Sequence, residues 1–397
     1  MARFLFYDEK LINLMLEEEK PCGGSAVQTY GWIRGLMEEG HEVYVMTNTH
    51  GHALLKEDCR NIRLVPTYQR NKGIRWLRWL YYRFPYTYKK IKAVKPDYLY
   101  LSIPGWTSVL FGIICYLLKI RYIQRISNDN QLDKRYGKEH SIFHQFFMYA
   151  GLRLSHHILC QNSLQLQVVE KKFPGKPAIK IANPVYLKDE APAGDYNSRR
   201  YIAWVGIFRP QKGLKLLYQV ASLLKSEEFH IAGKESVNCD DETWFYLEKL
   251  RALPNVKFTG FLQRHEVLPF LANARFLLNT SHYEGFSNTF LEAWSVGTPV
   301  ISGINVNPDS IISRYELGIV YYDAFEMCKQ YAAVTPELYR LMSNNAREYV
   351  WRNHGYTVLA RKLIAYLSAT DKIIINDSRP AISNQTIQRH FQEHEVE

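Results

Sequence analysis

The sequence contains few cysteines and none of the patterns in which cysteines bind zinc or form a disulfide framework. Six cysteines are scattered over 397 residues, with no Cys-x-x-Cys pair and no histidine cluster beside them. This scatter argues against a zinc site and fits a reducing compartment. We therefore expect buried structural thiols at all six positions, which are Cys22, Cys59, Cys115, Cys160, Cys239 and Cys328.

The sequence also shows no signal peptide and no continuous membrane span. The apolar start, Met1–Tyr7, is short, and the acidic run Glu17–Glu19 follows it soon. The uncharged stretch Tyr98–Leu118 approaches the length of a span, but Ser102 and Pro104-Gly105 interrupt it. Its pattern favours a buried strand, a loop and a helix. We expect a cytoplasmic protein.

Positive charge is concentrated in one part of the chain. The net charge is +11, yet Cys59–Asn128 alone holds fourteen Lys or Arg and one acid, so the remainder sums to −2. Within this part, Tyr68–Lys92 interleaves cations with tryptophans and tyrosines, as membrane-surface helices do. A solvated basic face over packed aromatics is one alternative, and a nucleic-acid surface is another. We favour an anionic membrane surface and expect no nucleic-acid partner.

The alternation of apolar strands and helical patterns predicts two α/β domains, for which the chain is long enough. In the first, Gly23-Gly24 lies between a strand, Arg3–Tyr7, and a helix; glycine there lets the backbone approach a phosphate. A plain loop is the alternative. The predicted parts are an N-terminal domain (1–190), a linker (191–199), a C-terminal domain (200–355), a helix (356–370) and a polar tail (371–397).

A polar cluster follows the predicted strand Arg121–Ile126 in the first domain. It contains Arg125 and Asp129, near the carboxyl end of a strand, where open α/β sheets bind their ligands. A ligand-binding role for Asp129 is thus a hypothesis, and an ordinary surface turn is the alternative.

Two cations, Arg209 and Lys212, follow the strand Tyr201–Val205 that opens the second domain. At the carboxyl end of a strand they can neutralise a departing diphosphate, which otherwise needs a metal. A solvated loop position is the alternative for either. No Asp-x-Asp pair lies at a predicted strand end, and Asp240-Asp241 falls in a predicted polar loop, so no metal is expected.

The stretch Ser281–Ser302, SHYEGFSNTFLEAWSVGTPVIS, organises the second domain. Its pattern predicts a loop, a helix over Thr289–Val296 with Gly297 as the C-cap glycine, and a strand. The loop meets the helix N-terminus, where free amides and the helix dipole attract anions. Glu284 and Glu292 bracket this point. A nucleotide can therefore place its diphosphate on the amides and its ribose on Glu292.

This stretch resembles the signature of the retaining GT-B glycosyltransferases of family four, the glycosyl transferases group 1. Both acids of Glu284-x7-Glu292, the loop at Gly285 and the Gly-Thr-Pro-Val-Ile exit occur in order. Lys212-Gly213 and Asn183-Pro184-Val185 match further family phrases, whereas Ile207 stands where the family usually has Arg. The resemblance implies an α/β protein with the GT-B fold, in which two Rossmann-like, doubly wound domains face each other across a cleft.

The resemblance also implies a function and the residues that carry it. We expect a metal-independent, retaining hexosyltransferase without a cofactor, peripheral on the inner face of the membrane. It would move a sugar from a UDP- or GDP-sugar to a glycan or lipid-linked acceptor in cell-surface polysaccharide synthesis. Catalytic roles fall to Glu284, Lys212 and Arg209, the last standing in for the family Arg. Implied donor-binding residues are Glu292, Gly23, Gly24, Gly285, Phe286, Ser287, Asn288, Thr289, Phe261 and Leu262, and acceptor-site candidates are Asp129 and Arg125.

Two other functions fit parts of this pattern. A sugar-nucleotide epimerase or hydrolase shares the GT-B architecture but needs no acceptor. A non-catalytic protein that binds nucleic acid or glycan would use the basic aromatic stretch alone. The combination of Glu284 and Lys212 argues against a simple binder, because a binder needs no cation for a leaving group.

Overall fold

The computed structural model describes residues 1–17, 23–47, 54–69, 71–75, 77–185, 198–236 and 239–376. The chain divides into two compact units. The first consists of Met1–Tyr186 and Tyr356–Glu397, and the second of Leu187–Gly355. Each unit contains its own parallel sheet and its own apolar core.

In the described part of the first unit, seven parallel strands form one sheet in the order β3-β2-β1-β4-β5-β6-β7. The strands are β1 (Arg3–Tyr7), β2 (Glu42–Thr47), β3 (Arg63–Pro66), β4 (Tyr98–Leu101), β5 (Arg121–Arg125), β6 (His157–Cys160) and β7 (Ala178–Lys180). The helices up to β7 are α1 (Ile12–Met15), α2 (Gly24–Glu38), α3 (Phe84–Val94), α4 (Thr107–Leu118), α5 (Lys134–Glu139), α6 (Ile142–Leu154) and α7 (Ser163–Lys172). A π-helical turn, Trp79–Arg83, precedes α3.

The central strands of this sheet are almost entirely apolar. In β1 the last four of five residues are buried, and β4 buries its last three. Such runs are typical of parallel strands that helices cover on both faces. The prediction of a strand, a loop and a helix over Tyr98–Leu118 is confirmed by β4 and α4. Among the helices in the described part of the chain, none has the length and apolar character needed to cross a bilayer.

In the described part of the second unit, six parallel strands follow the order β10-β9-β8-β11-β12-β13. They are β8 (Tyr201–Phe208), β9 (Phe229–Glu235), β10 (Val256–Gly260), β11 (Ala274–Asn279), β12 (Val300–Gly303) and β13 (Gly318–Tyr321). The helices are α8 (Leu214–Leu223), α9 (Asp241–Arg251), α10 (Arg264–Ala272), α11 (Asn288–Ser295), α12 (Ile311–Arg314), α13 (Ala324–Ala332) and α14 (Pro336–His354).

This strand order places a topological switch point between β8 and β11. The chain builds the sheet outward from β8 through β9 to β10, and then returns to pair β11 with the other edge of β8. The helices on the two sides of the reversal lie on opposite faces, which opens a crevice at the carboxyl ends of β8 and β11. Ligands of open α/β sheets bind at this position.

The strand β8 is longer than its sequence pattern predicts, since the predicted strand ends at Val205 and β8 ends at Phe208. The strands β8 and β9 remain paired through Phe208 and Glu235, because their register brings Gly206 opposite Gly233 and continues beyond it. The predicted polar loop at Asp240-Asp241 is wrong only for Asp241, which is the first residue of α9. Asp240 is the N-cap of this helix and accepts a 2.9 Å hydrogen bond from the Thr243 amide.

The last described helix, α15 (Tyr356–Asn376), belongs to the first unit and packs against α2. The predicted start of a polar tail at Asp371 is wrong, since this residue anchors the helix to the sheet. The Tyr98 hydroxyl donates to Asp371 at 2.7 Å, and Arg121 Nε lies 3.3 Å from its carboxylate. Residues 377–397 and most of the predicted linker 191–199 lie outside the described residues.

Candidate active site

Two loops at the switch point of the second unit form the candidate site. After β8, a 3-10 turn, Pro210–Lys212, leads into Gly213. After β11, the loop 280–287 leads into α11. The Gln211 side chain donates to the Tyr283 carbonyl at 2.7 Å, and the His282 amide donates to the Gln211 carbonyl at 2.9 Å. These two bonds hold the loops against each other, although they lie about seventy residues apart in sequence.

Gly213 allows this close approach. Its φ of 60° lies in the left-handed region, and a Cβ at this position would lie 2.3 Å from the Thr280 carbonyl oxygen. Only glycine fits both conditions without displacing a neighbour. Thr280 is itself fixed, because its hydroxyl accepts from Trp204 Nε1 at 3.0 Å and donates to the Lys212 carbonyl at 2.7 Å.

The loops bring together two of the predicted catalytic residues. Lys212 Nζ lies 2.7 Å from Glu284 Oε1, and the two side chains are only 14% and 13% exposed. A charge-assisted hydrogen bond in such a screened position is stronger than one in open water. The site therefore presents a fixed cation and a fixed carboxylate at the carboxyl ends of β8 and β11. Arg209, in contrast, is exposed at the start of the turn.

Next to this pair, α11 begins as the sequence predicts. Its N-cap residue, Ser287, has an extended backbone, and its hydroxyl bonds to the Thr289 hydroxyl at 2.8 Å instead of capping the helix amides. The positive end of the helix dipole lies at this point. Gly285 and Ser287 are buried, whereas Phe286, Asn288 and Thr289 are partly exposed.

The C-terminus of α11 confirms the predicted glycine cap. Gly297 has a φ of 69°, its amide donates to the Trp294 carbonyl at 2.9 Å, and the Thr298 amide donates to the Ala293 carbonyl at 2.8 Å. These two bonds form a Schellman motif, which ends the helix at a defined residue.

Glu292, one turn into α11, is buried and forms an ion pair with Arg264, the first residue of α10. Sequence reasoning missed Arg264. The two residues are 28 positions apart and lie on different helices, so no local pattern joins them. Phe261 and Leu262 lie in the short loop between β10 and this arginine. Phe261 is exposed, and Lys234 Nζ lies 5.6 Å from its ring centre.

The remaining candidates, Gly23, Gly24, Arg125 and Asp129, belong to the first unit and not to the second. Gly23 is the N-cap of α2 and Gly24 is its first residue. A Cβ on Gly23 would approach only Ser25 Oγ, at 3.9 Å, so steric crowding does not demand glycine at this position. The residues immediately before this pair, 18–22, lie outside the described residues.

Arg125 is fully buried. Its guanidinium bonds to the Asn183 side chain and donates to the Ile181 carbonyl, and burial lowers its pKa. The residue thus stabilises the interior at the carboxyl end of β5. A direct contact with an acceptor stays a prediction for Arg125, and its burial favours a positioning role.

Asp129 is held in a defined position. Its carboxylate accepts hydrogen bonds from Asn162 at 3.0 Å and from Gln165 at 2.8 Å, both near the start of α7. Burial raises its pKa, and these two hydrogen bonds act in the opposite direction. Asp129 is therefore more ordered than an ordinary surface turn would require.

The described residues contain no group of three or more His, Cys, Asp or Glu side chains that could hold a metal ion. The candidate site contains the cations of Lys212 and Arg264, the carboxylates paired with them, and the N-terminus of α11.

Comparison with known proteins agrees with this geometry. Residues 199–333 match the family described as Glycosyl transferases group 1. Over 188 residues the chain is 23% identical to the 2-deoxystreptamine N-acetyl-D-glucosaminyltransferase of Niallia circulans. That match spans 46% of this chain and 46% of the relative, so it covers about half the length of either protein.

Two solved structures resemble the whole chain. Sucrose-phosphate synthase from Thermosynechococcus elongatus has a TM-score of 0.73 at 16% identity, over 93% of this chain and 99% of that one. The Anabaena protein HepE, solved with UDP and glucose, has a TM-score of 0.72 at 14% identity, over 93% of this chain and 100% of that one. The fold is GT-B. The match to the Glycosyl transferases group 1 lies within the second unit, which is therefore the part of the chain that is similar to that family.

Proposed function

We propose that the protein is a retaining glycosyltransferase that uses a UDP- or GDP-sugar as donor. One observation carries this proposal: the Lys212–Glu284 ion pair lies at the switch point, beside the start of the helix that holds Glu292. The Niallia circulans relative is, by its name, an N-acetylglucosaminyltransferase, and the HepE structure contains UDP and glucose. These similarities support a nucleotide sugar as the donor of this protein.

In the proposed complex, the nucleotide lies across the start of α11. Its diphosphate accepts hydrogen bonds from the backbone amides around Ser287 and lies at the positive end of the helix dipole. Its ribose hydroxyls donate to Glu292, whose carboxylate is already fixed by Arg264. The base lies beside the backbone of Phe261 and Leu262. A site formed before the ligand binds loses little conformational entropy on binding, which strengthens affinity.

In the reaction, the bond between the sugar carbon and the diphosphate oxygen breaks, and a bond to the acceptor oxygen forms on the same face. The acceptor proton passes to the leaving phosphate, so no separate protein base is needed. Lys212 neutralises the charge that develops on the leaving phosphate, with Arg209 as a second cation. Glu284 orients the donor sugar by accepting hydrogen bonds from its hydroxyls. Lys212 and Arg209 take the place of a metal, and no cofactor is required.

The acceptor is proposed to be a glycan or a lipid-linked molecule in cell-surface polysaccharide synthesis. The protein would reach it from the cytoplasmic side, on an anionic membrane surface contacted by Tyr68–Lys92. In this segment Leu77, Leu80 and Tyr81 are exposed, which supports such a contact. Arg83 is instead buried, with its guanidinium 4.6 Å from the Trp79 ring centre. Arg70 and Trp76 lie outside the described residues.

Isothermal calorimetry with UDP, GDP and ADP tests the donor site. We expect one nucleotide to bind, and Glu292→Gln to lose about 1.5–3 kcal/mol of binding free energy, the value of a hydrogen bond to a charged group. Glu348→Gln, which alters an exposed carboxylate on α14, serves as the matched control. Failure of all three nucleotides to bind refutes the proposal.

The reaction itself is tested by incubation of the donor with and without acceptor extracts. Release of free nucleotide that never requires an acceptor would favour an epimerase or hydrolase. Turnover abolished by a chelator and restored by Mn²⁺ or Mg²⁺ would contradict the role given to Lys212.

A further inference from the structure

The first unit carries an exposed apolar surface on two neighbouring helices. On α4 its members are Ile113, Tyr116 and Leu117, and on α6 they are Ile142, Phe143 and Phe146. We call this set the α4–α6 face. Phe143 is 76% exposed and Phe146 is 65% exposed, values that are unusual for aromatic side chains in a folded domain.

The two helices pack closely against each other and run in the same direction. A Cβ on Gly151 of α6 would lie 2.2 Å from Ser108 Cβ of α4, and a Cβ on Gly112 of α4 would lie 2.6 Å from Leu154 Cβ of α6. The exposed side chains of α6 therefore lie beside the start of α4, and those of α4 lie toward the end of α6, so the face extends along the pair.

The composition of α6 shows that this exposure is a property of the sequence. The helix reads IFHQFFMYAGLRL and buries Met148, Gly151 and Leu152 toward α4 and the sheet. A surface helix normally carries polar residues on its opposite side. Here Ile142, Phe143 and Phe146 occupy that side. Folding of the described chain does not bury them, and exposed patches of this kind mark interaction surfaces.

The α4–α6 face continues into Tyr68–Lys92, the segment that interleaves cations with aromatic residues. Trp106, at the start of α4, is partly exposed, and its ring centre lies 4.2 Å from that of Trp79. The next residue, Leu80, is 80% exposed. Two exposed cations border the face, Lys119 at the end of α4 and Arg153 near the end of α6. An apolar surface bordered by cations complements the interface of an anionic bilayer.

The charge also distinguishes a bilayer from a second copy of this chain. In a two-fold dimer the same patch meets itself, so the cations that border one copy would face those of the other. Cys59–Asn128, which includes α4, has a net charge of +13. Like charges brought together in this way disfavour self-association.

We propose that the α4–α6 face is the surface by which this protein inserts into an anionic bilayer. The two helices lie in the plane of the membrane and bury their outer side chains at the boundary of headgroups and acyl chains. The loop from Ile103 to Trp106 follows β4, at the edge of the sheet where α/β units receive ligands. A loop at this position can receive an acceptor that is held in the bilayer, so the acceptor is a lipid-linked molecule. This statement rests on the proposed function.

Vesicle flotation with the full chain tests the inference. The vesicles contain phosphatidylcholine with about one third phosphatidylglycerol, or phosphatidylcholine alone. Burial of two phenylalanine side chains accounts for a factor of about 100 in partitioning, so Phe143→Ser/Phe146→Ser is expected to reduce binding by that factor. A matched control is Phe245→Ser/Phe325→Ser in the second unit, where the two side chains are 54% and 75% exposed. We expect it to bind vesicles as the wild type does.

A second double variant, Tyr116→Ser/Leu117→Ser on α4, guards against a local folding defect, and each variant must retain the thermal midpoint of the wild type. Wild-type binding to the anionic vesicles should fall in about 0.5 M NaCl and on pure phosphatidylcholine. Equal binding by wild type and both face variants overturns the proposal. A dimer in analytical ultracentrifugation that the face variants dissociate, without vesicle binding by the wild type, also overturns it and assigns the face to a second copy.

The nucleotide titration separates this inference from the proposed function. Face variants that lose vesicle binding should keep the nucleotide affinity of the wild type. A wild-type protein that binds vesicles but no nucleotide leaves the bilayer contact standing and refutes the glycosyltransferase proposal.

Discussion

Replacement of Gly213 by alanine tests the geometry of the candidate site most directly. The new Cβ would lie 2.3 Å from the Thr280 carbonyl oxygen, whereas an ordinary contact needs at least 3.4 Å. The loop after β11 must therefore move by about 1 Å or the turn after β8 must unwind. Either change alters the 2.7 Å contact between Lys212 and Glu284, because these residues lie on the two displaced loops.

Two contributions to the effect can be separated. A left-handed backbone at a residue with a Cβ costs about 1–2 kcal/mol of stability. The displacement adds a functional penalty, since a misplacement of about 1 Å in an active site can reduce turnover about 100-fold. We expect Gly213→Ala to lower the unfolding midpoint moderately and turnover strongly.

Gly175→Ala is the matched control for the backbone contribution. Gly175 has a φ of 75°, and a Cβ there meets no atom within 4 Å. This variant should show the same type of stability loss with unchanged nucleotide affinity and turnover. Thermal unfolding and calorimetry of both variants make the comparison. If Gly213→Ala loses stability but keeps wild-type nucleotide affinity and turnover, the coupling of the two loops has been misjudged.

Three further predictions concern single contacts. Lys212→Met should reduce turnover about 100- to 1,000-fold, because it removes the charge that stabilises the leaving phosphate. Lys212→Arg keeps the charge and should retain part of the turnover. If the Met and Arg variants are equally active, the leaving-group role of Lys212 is refuted. Arg264→Met should destabilise the second unit by about 3 kcal/mol because it leaves a buried carboxylate unpaired, and Arg264→Met/Glu292→Met should unfold near the wild-type midpoint. Burial and the neighbouring His157 lower the pKa of His156 to about 4, and its neutral Nδ1 accepts the Tyr122 amide at 3.0 Å. Because the unfolded chain binds a proton at this histidine first as pH falls below about 6.5, His156 should contribute a loss of about 2 kcal/mol of stability between pH 7 and 5. Thermal unfolding of His156→Gln should lack this contribution, whereas the contribution of His157, whose pKa burial also lowers, is present in both proteins.

The parts of the fold that the sequence predicts correctly are those with a local physical cause. The strands β1 and β4 are short apolar runs, and α11 begins after a loop and ends at a glycine with a left-handed backbone. Each signal lies within about ten consecutive residues. Errors occur where distant contacts decide the outcome, as in the extension of β8, which depends on pairing with β9.

The site shows the same division. Lys212, Glu284 and Glu292 can be selected from the sequence, because their neighbours form a recognisable pattern. The pairing of Lys212 with Glu284 joins residues 72 positions apart, and that of Arg264 with Glu292 joins two separate helices. Such pairs form only when the sheet order brings β8, β10 and β11 into place.

The sequence by itself therefore determined the two α/β units, the helix N-terminus at Ser287 and the acids on either side of it. It also determined the concentration of positive charge in the first unit. The tertiary structure decided that Arg125 is an interior residue, that Arg264 holds Glu292, and that α4 and α6 expose one apolar face. Local backbone preference and apolar periodicity act between near neighbours in the chain, whereas burial, ion pairing and exposure depend on which distant segments pack together.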